Sequence, residues 1–159
     1  MNILVTGGAG YIGSHVIKQL GEITDHNITI VDNLSTGIKK NILYGDFIEC
    51  DLNDIVKLED IFKLKNFDII MHFAASIEVA ESIKNPLKYY KNNTVHTINL
   101  INLATKYKVE KFIFSSTAAV YGNTKNIPVK EDSPLMPLNP YGDSKMMCEK
   151  ILQDTGKSN

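Results

Sequence analysis

Met1-Asn2-Ile3-Leu4-Val5-Thr6-Gly7-Gly8-Ala9-Gly10-Tyr11-Ile12-Gly13-Ser14-His15 opens the chain. A short apolar run with β-branched residues passes directly into glycines and then into a helical pattern that begins at Tyr11. A strand, turn and helix joined this way present backbone N–H groups and the positive end of a helix dipole to an anion. Within the turn Gly7-Gly8-Ala9-Gly10-Tyr11-Ile12-Gly13, the glycines Gly8, Gly10 and Gly13 match a dinucleotide-binding spacing. One permits the tight turn, one lets backbone approach phosphate, and one lets helix and strand pack closely.

The glycine pattern alone is weak, and the residues after it decide its meaning. A second β-branched run, Ile28 to Val31, closes on Asp32, about twenty residues on, where an acid accepts hydrogen bonds from the adenosine ribose hydroxyls. The competing reading is a structural turn with a surface acid. With strand, turn, helix, strand and acid in order, dinucleotide binding is favoured. The charge of Asp32 would repel a 2′-phosphate, and the 17 basic residues are all Lys, so no guanidinium is at hand to neutralise one. NAD is therefore expected rather than NADP.

Further out, short apolar runs alternate with longer helical patterns, the signature of βαβ units and a parallel sheet. Strands are expected at Ile3 to Thr6, Ile28 to Val31, near Leu43 to Ile48, Phe67 to Phe73 and Lys111 to Ser115. Helices are expected from Tyr11, from Asp54 to about Lys65, from about Pro86 to Tyr107, and from Asn139 or Tyr141 onward. In the third of these, Leu87, Tyr90, Ile98, Ile101 and Leu103 to Tyr107 place apolar positions on more than one face, which implies burial beyond a single sheet contact, either in simple core packing or against a partner subunit. The fold class is α/β, a doubly wound parallel sheet with helices on both faces and strand order 3-2-1-4-5. The stretch from Gly122 to Pro140 holds four prolines and reads as a long loop before the last helix. The chain ends at Thr155-Gly156-Lys157-Ser158-Asn159 before a sixth strand, so the C-terminal strands of such a sheet are expected to be missing.

Bulk properties narrow the function. A chain of 159 residues with 43% hydrophobic residues and a net charge of −1 has the makings of one globular domain and no block of like charge. Neither nucleic acid nor a membrane surface is expected as a partner. Cys50 and Cys148 lie far apart without His or Cys at metal-ligand spacing, so both are expected as reduced thiols and no metal is expected. The N-terminus lacks a basic segment or cleavage site, and no apolar run approaches bilayer length, which points to the cytoplasm.

A second constellation carries chemistry. Tyr141 and Lys145 stand four apart at a helix start, on one face. A phenol titrates near pH 10, but a neighbouring ammonium favours the phenolate, which then serves as a base. Ser115-Ser116-Thr117 end the fifth strand at the carboxyl edge of the sheet, where a hydroxyl can bind a reacting oxygen. Taken singly, each has a bland alternative, an exposed helical pair or turn formers. Asp51-Leu52 after the third strand is placed to meet an adenine ring, with a helix N-cap at Asp51 or Asn53 as an equal alternative.

Together these residues resemble the extended short-chain dehydrogenase/reductase family, most closely its nucleotide-sugar 4-epimerase branch. The motifs are Thr6 to His15, Val31 to Gly37, His72-Phe73-Ala74-Ala75, Tyr89-Tyr90-Lys91-Asn92-Asn93, Ser115 to Gly122 and Asn139-Pro140-Tyr141-Gly142-Asp143-Ser144-Lys145. The resemblance spans nearly the whole chain. It implies a Rossmann-type NAD-binding domain over residues 1–159, with NAD contacts at Gly7, Gly10, Tyr11, Ile12, Gly13, Asp32, Asn33, Leu34, Ser35, Thr36, Gly37, Asp51, Leu52, Phe73, Ala74, Ala75, Ser76, Ile77, Asn92 and Ser115. It further implies Tyr141 as base, Lys145 on the nicotinamide ribose and Thr117 on the substrate. Ile77 departs from the family, which often carries a Lys there.

The implied reaction is 4-epimerisation of a UDP-hexose through a 4-keto sugar with transient hydride transfer to NAD. Nucleotide-sugar 4,6-dehydratases compete, but they carry Asp-Glu after the Thr, whereas Ala118-Ala119 stand here and transfer no protons. Family members run to roughly twice this length, with the UDP-sugar pocket in a C-terminal substrate domain, and form homodimers. The chain alone is thus expected to be an inactive NAD-binding fragment.

Overall fold

The parallel strands expected from the apolar runs form in the computed structural model, which describes residues 1–125 and 127–158. Asn126, inside the expected loop, and Asn159, at the expected chain end, lie outside the described residues. The strands are β1 (Asn2–Thr6), β2 (Asn27–Asp32), β3 (Asp46–Glu49), β4 (Ile69–His72) and β5 (Lys111–Phe114). They pair in the order β3-β2-β1-β4-β5, as expected. Among the described residues six α-helices accompany them: α1 (Tyr11–Ile23), α2 (Ile55–Leu64), α3 (Val79–Lys84), α4 (Pro86–Tyr89), α5 (His96–Lys106) and α6 (Pro140–Ser158). None is long and apolar enough to cross a membrane.

The chain divides into two compact units, Met1–Ala75 with Asn99–Ser115, and Ser76–Ile98 with the chain from Ser116 onward. In the first, the two-residue period of β1 sorts its side chains onto opposite faces. Ile3 and Val5 join Ile28, Ile30 and Ile17 of α1 in one core cluster. Leu4 joins Val31 and Ile70 with Leu58, Ile61 and Phe62 of α2 and Leu100, Leu103 and Ala104 of α5 in another. Register aligns Thr6 with Val31 and with His72, so the carboxyl ends of β1, β2 and β4 lie level.

Details differ from expectation for identifiable reasons. Leu43 and Tyr44 stay outside β3, which begins after Gly45, where the backbone turns at φ +86°. The cap of α2 is neither Asp51 nor Asn53 but Asp54, whose carboxylate accepts from Lys57 N–H. Asp51 instead accepts from Asn53 N–H at 2.8 Å in a local turn, an alternative use of such a side chain.

The second unit breaks the expected Pro86–Tyr107 helix. Pro86 does open α4 at its first turn, but Tyr90–Val95 then runs as π-helix before α5 begins. Here Thr97 Oγ1 and Cys148 Sγ both donate to the carbonyl of Asn93, and side chains bound to the helix backbone disturb its regular ladder. Ile101 and Leu103 are buried, while Leu87 is 81% exposed. The segment before Pro86, not expected to be helical, forms α3. After β5, a 3-10 turn at Ala118–Tyr121 precedes the loop, and Met136 N–H donates to Val120 O at 2.9 Å.

Candidate functional site

In the first unit, β1 is followed by Gly7, with φ +73°, a conformation glycine adopts without strain. A Cβ there would lie 2.4 Å from Ala74 N, so the chain after β4 can rest against the turn only because Gly7 has no side chain. Gly13 is similarly tight, its Cβ position lying 2.3 Å from the Gly7 carbonyl oxygen. Gly8 does not make the turn: a Cβ there would meet Ile30 and Ile17, so its smallness serves packing of α1 on β2. The turn role assigned by spacing to Gly8 thus falls to Gly7, and Gly7, Gly10 and Gly13 form the working triplet. Gly10 N–H donates to Gly7 O at 3.2 Å.

At its start α1 has no side-chain cap and no acidic residue in its first turn. Those N–H groups are left for an anion. Tyr11 and Ile12, 80% and 55% exposed, flank this end, and the Tyr11 ring lies 4.6 Å from that of His15.

Asp32 is 9% exposed, not a surface acid. One carboxylate oxygen accepts from Ala9 N–H at 2.9 Å and the other from Leu34 N–H at 2.8 Å, which fixes the glycine turn to the loop after β2. Ile38 N–H adds a bond to Ala9 O at 3.0 Å. Within that loop Ser35 N–H donates to Asn33 Oδ1, and Asn33 Nδ2 donates to Asp51 at 2.7 Å. Gly37 leaves room beside Ala9 and Asp32. Asn33 to Gly37 and Asp51 are therefore drawn together with the glycine turn, while Leu52 is buried in the core. Each carboxylate oxygen keeps a further lone pair for a hydroxyl donor.

Phe73 N–H donates to Thr6 O at 2.9 Å, which sets Phe73-Ala74-Ala75 beside the turn. Thr6 Oγ1 and His72 Nδ1 are hydrogen-bonded at 2.6 Å, and this buried tie between β1 and β4 escaped the sequence reading. Its signal was a polar residue ending each of two otherwise apolar strands. Ser115 N–H donates to His72 O.

In the second unit, Asn139 Oδ1 accepts from Gly142 N–H at 2.9 Å and opens α6. Tyr141 lies in its first turn, its ring 6.4 Å from Tyr89 at 85°. Lys145, one turn on, is 3% exposed, and burial holds its ammonium down to about 8. Thr117 caps the 3-10 turn, its Oγ1 accepting from Ala119 N–H at 3.2 Å. A Cβ on Gly142 would stand 2.9 Å from Ala119 O, so the glycine after Tyr141 lets that turn approach α6.

Asn93 closes one of the motifs of the resemblance without a role of its own, yet it links this unit's parts. Its Oδ1 accepts from Ser76 N–H at 2.8 Å, while its Nδ2 donates to Ser76 O at 3.0 Å and to Ser144 Oγ at 3.1 Å. Ser144 Oγ donates to Tyr141 O at 2.7 Å. Asn92 Nδ2 donates to Ser76 Oγ at 3.1 Å, so Ser76 and Asn92 meet. Ile77 is exposed. The doublet Asn92-Asn93 inside an otherwise helical pattern was the available signal.

Residues 3–159 match the NAD dependent epimerase/dehydratase family. The chain is 44% identical over 155 residues to a UDP-glucose 4-epimerase of Azospirillum brasilense, covering 97% of this chain and 44% of that protein. It superposes with a TM-score of 0.96 on a UDP-Glc/GlcNAc 4-epimerase from Campylobacter jejuni, at 52% identity over 99% of this chain and 50% of that one. A UDP-glucose 4-epimerase from Brucella ovis in complex with NAD gives 0.93 at 39% identity, over 96% and 47%. The chain spans about half the length of the curated relatives it matches.

Proposed function

This chain belongs to the NAD dependent epimerase/dehydratase family, and on that premise we propose that it is the N-terminal, NAD-binding part of a UDP-hexose 4-epimerase that interconverts UDP-glucose and UDP-galactose. The carrying observation is the buried Lys145 one helical turn after Tyr141 on α6. Residues four apart share one face of a helix, so the Lys145 side chain and the Tyr141 hydroxyl are placed to act on one ligand.

The cradle suits a dinucleotide: the glycine triplet and the uncapped start of α1 for the pyrophosphate, with Tyr11 and Ile12 beside it, and Asp32 with Asn33 to Gly37 for the adenosine ribose. Asp51 and Leu52 would meet the adenine, and Phe73, Ala74, Ala75, Ser76, Ile77, Asn92 and Ser115 complete the contacts in this proposal. NAD, when bound there, would supply reversible hydride acceptance for the sugar C4. Tyr141 takes the proton of the 4-hydroxyl and later gives it back. Lys145 holds the nicotinamide ribose, and Thr117 binds the reacting oxygen. The turn after Thr117 begins Ala118-Ala119, which neither accept nor donate a proton, so the alternative 4,6-dehydratase reaction is disfavoured.

We place the UDP-sugar pocket in a C-terminal substrate domain, so that this chain alone would hold NAD without turning over. The complete polypeptide is proposed to act as a homodimer paired through the helical stretch that begins at Pro86. Sedimentation of the complete polypeptide as a monomer at high concentration would remove that part. The reaction is tested by incubating the complete polypeptide with NAD and UDP-galactose and following UDP-glucose. Turnover that Tyr141→Phe abolishes supports the assignment; undiminished activity of that variant overturns it.

A further inference from the structure

Thr117 acts in the proposed reaction only if its hydroxyl is held in place, yet it sits on a short turn after a strand. Two contacts in the second unit fasten this turn to α6. At one end Gly142 admits the Ala119 carbonyl. At the other, Ser116 Oγ donates to the carboxylate of Glu149. Gly142, Lys145 and Glu149 are spaced three and four residues apart, and such positions lie along one face of a helix. The segment Ser116–Ala119 is thereby pinned at both ends along the row that carries Lys145.

We infer that Glu149 is a positioning residue, whose carboxylate holds Ser116 and through it sets the place of the Thr117 hydroxyl along α6. Neither Glu149 nor Ser116 is assigned a contact with cofactor or sugar. A carboxylate suits the task, since a hydrogen bond to a charged acceptor is roughly twice as strong as a neutral one. Ser116 and Thr117 lie just beyond the end of β5, and a fixed acceptor on a helix supplies the rigidity that a catalytic hydroxyl on a loop lacks. The geometry of a reacting group is sensitive at this level, with about an ångström of displacement costing on the order of a hundredfold in rate.

This inference rests on the epimerase reading, and wild-type turnover of the complete polypeptide tests that reading first. Given turnover, Glu149→Ala and Ser116→Ala are each expected to lower kcat by about tenfold while KM and NAD affinity stay within about twofold. The double variant is expected to lose no more than either single one, because both break the same link. Glu149→Gln keeps an acceptor for Ser116 and is expected to recover most of the activity. The inference is overturned if kcat is unchanged in both alanine variants, or if their losses multiply in the double variant. It is likewise overturned if NAD affinity falls in step with kcat, as general loosening of the fold would cause, or if Glu149→Gln is as impaired as Glu149→Ala.

Discussion

Asp32 is a two-sided residue. Its carboxylate accepts Ala9 and Leu34 N–H groups and is also assigned to the adenosine ribose. Hydrogen bonds to charged groups contribute about 1.5–3 kcal/mol each, so Asp32→Ala is expected to cost roughly 3 kcal/mol of stability in denaturant unfolding along with at least a tenfold loss of NAD affinity. Loss of affinity with unchanged stability would show that the backbone ties are dispensable. The position of this acid was legible because a strand must end where its apolar run ends. Its second role was not, since a fold between Ala9 and Asp32 leaves no local trace in sequence. Spacing alone put Gly8 where Gly7 makes the turn, for a similar reason: the two are alike in sequence and differ in whether backbone or side chains crowd them.

Lys145 offers a test by pH. Burial lowers its folded-state value from 10.5 to about 8, so between those values the unfolded chain binds more protons than the folded one. Stability from this group therefore rises as pH increases from about 8 towards 10.5, and the penalty of burying its charge is fullest below 8. The whole difference amounts to roughly 3 kcal/mol. Unfolding of wild type and Lys145→Met across this range should show the rise in the first and not in the second. Equal slopes would mean that Lys145 is not desolvated.

At the scale of elements, strands and helices were readable wherever pattern and punctuation agreed. Each of the five strands lay within two or three residues of its apolar run, and the start of α1 fell on Tyr11. Failures came where side chains bind backbone. Tyr90–Val95 runs as π-helix where Thr97 and Cys148 side chains bind the Asn93 carbonyl, and Cys148 is remote in sequence, so no periodicity reveals the break. For α2 the sequence allowed several caps, and Asp54 was selected by its bond to Lys57 N–H. Asp54→Ala is expected to cost about 1 kcal/mol, against a smaller change for Asn53→Ala, whose side chain caps nothing in this helix. A larger loss for Asn53→Ala by thermal or urea unfolding would reverse that assignment.

For the molecule as a whole, the strand order followed from the doubly wound pattern, and the family from motifs spread over nearly the full chain. The division into two compact units was not legible, because it depends on which distant segments cluster. Its chemical meaning is that the glycine cradle with Asp32 belongs to one unit, and Thr117, Tyr141 and Lys145 to the other. In the proposed reading, the pyrophosphate and adenosine contacts thus fall in the first unit, and the catalytic and nicotinamide-ribose contacts in the second.

The most direct measurement is a calorimetric titration of this chain with NAD and, separately, with NADP. The expected result is one NAD bound per chain at least tenfold more tightly than NADP, because Asp32 disfavours a 2′-phosphate, with Gly13→Val abolishing the binding. An absence of NAD binding, or NADP binding as tight as NAD, would contradict the assignment of this chain as an NAD-binding half.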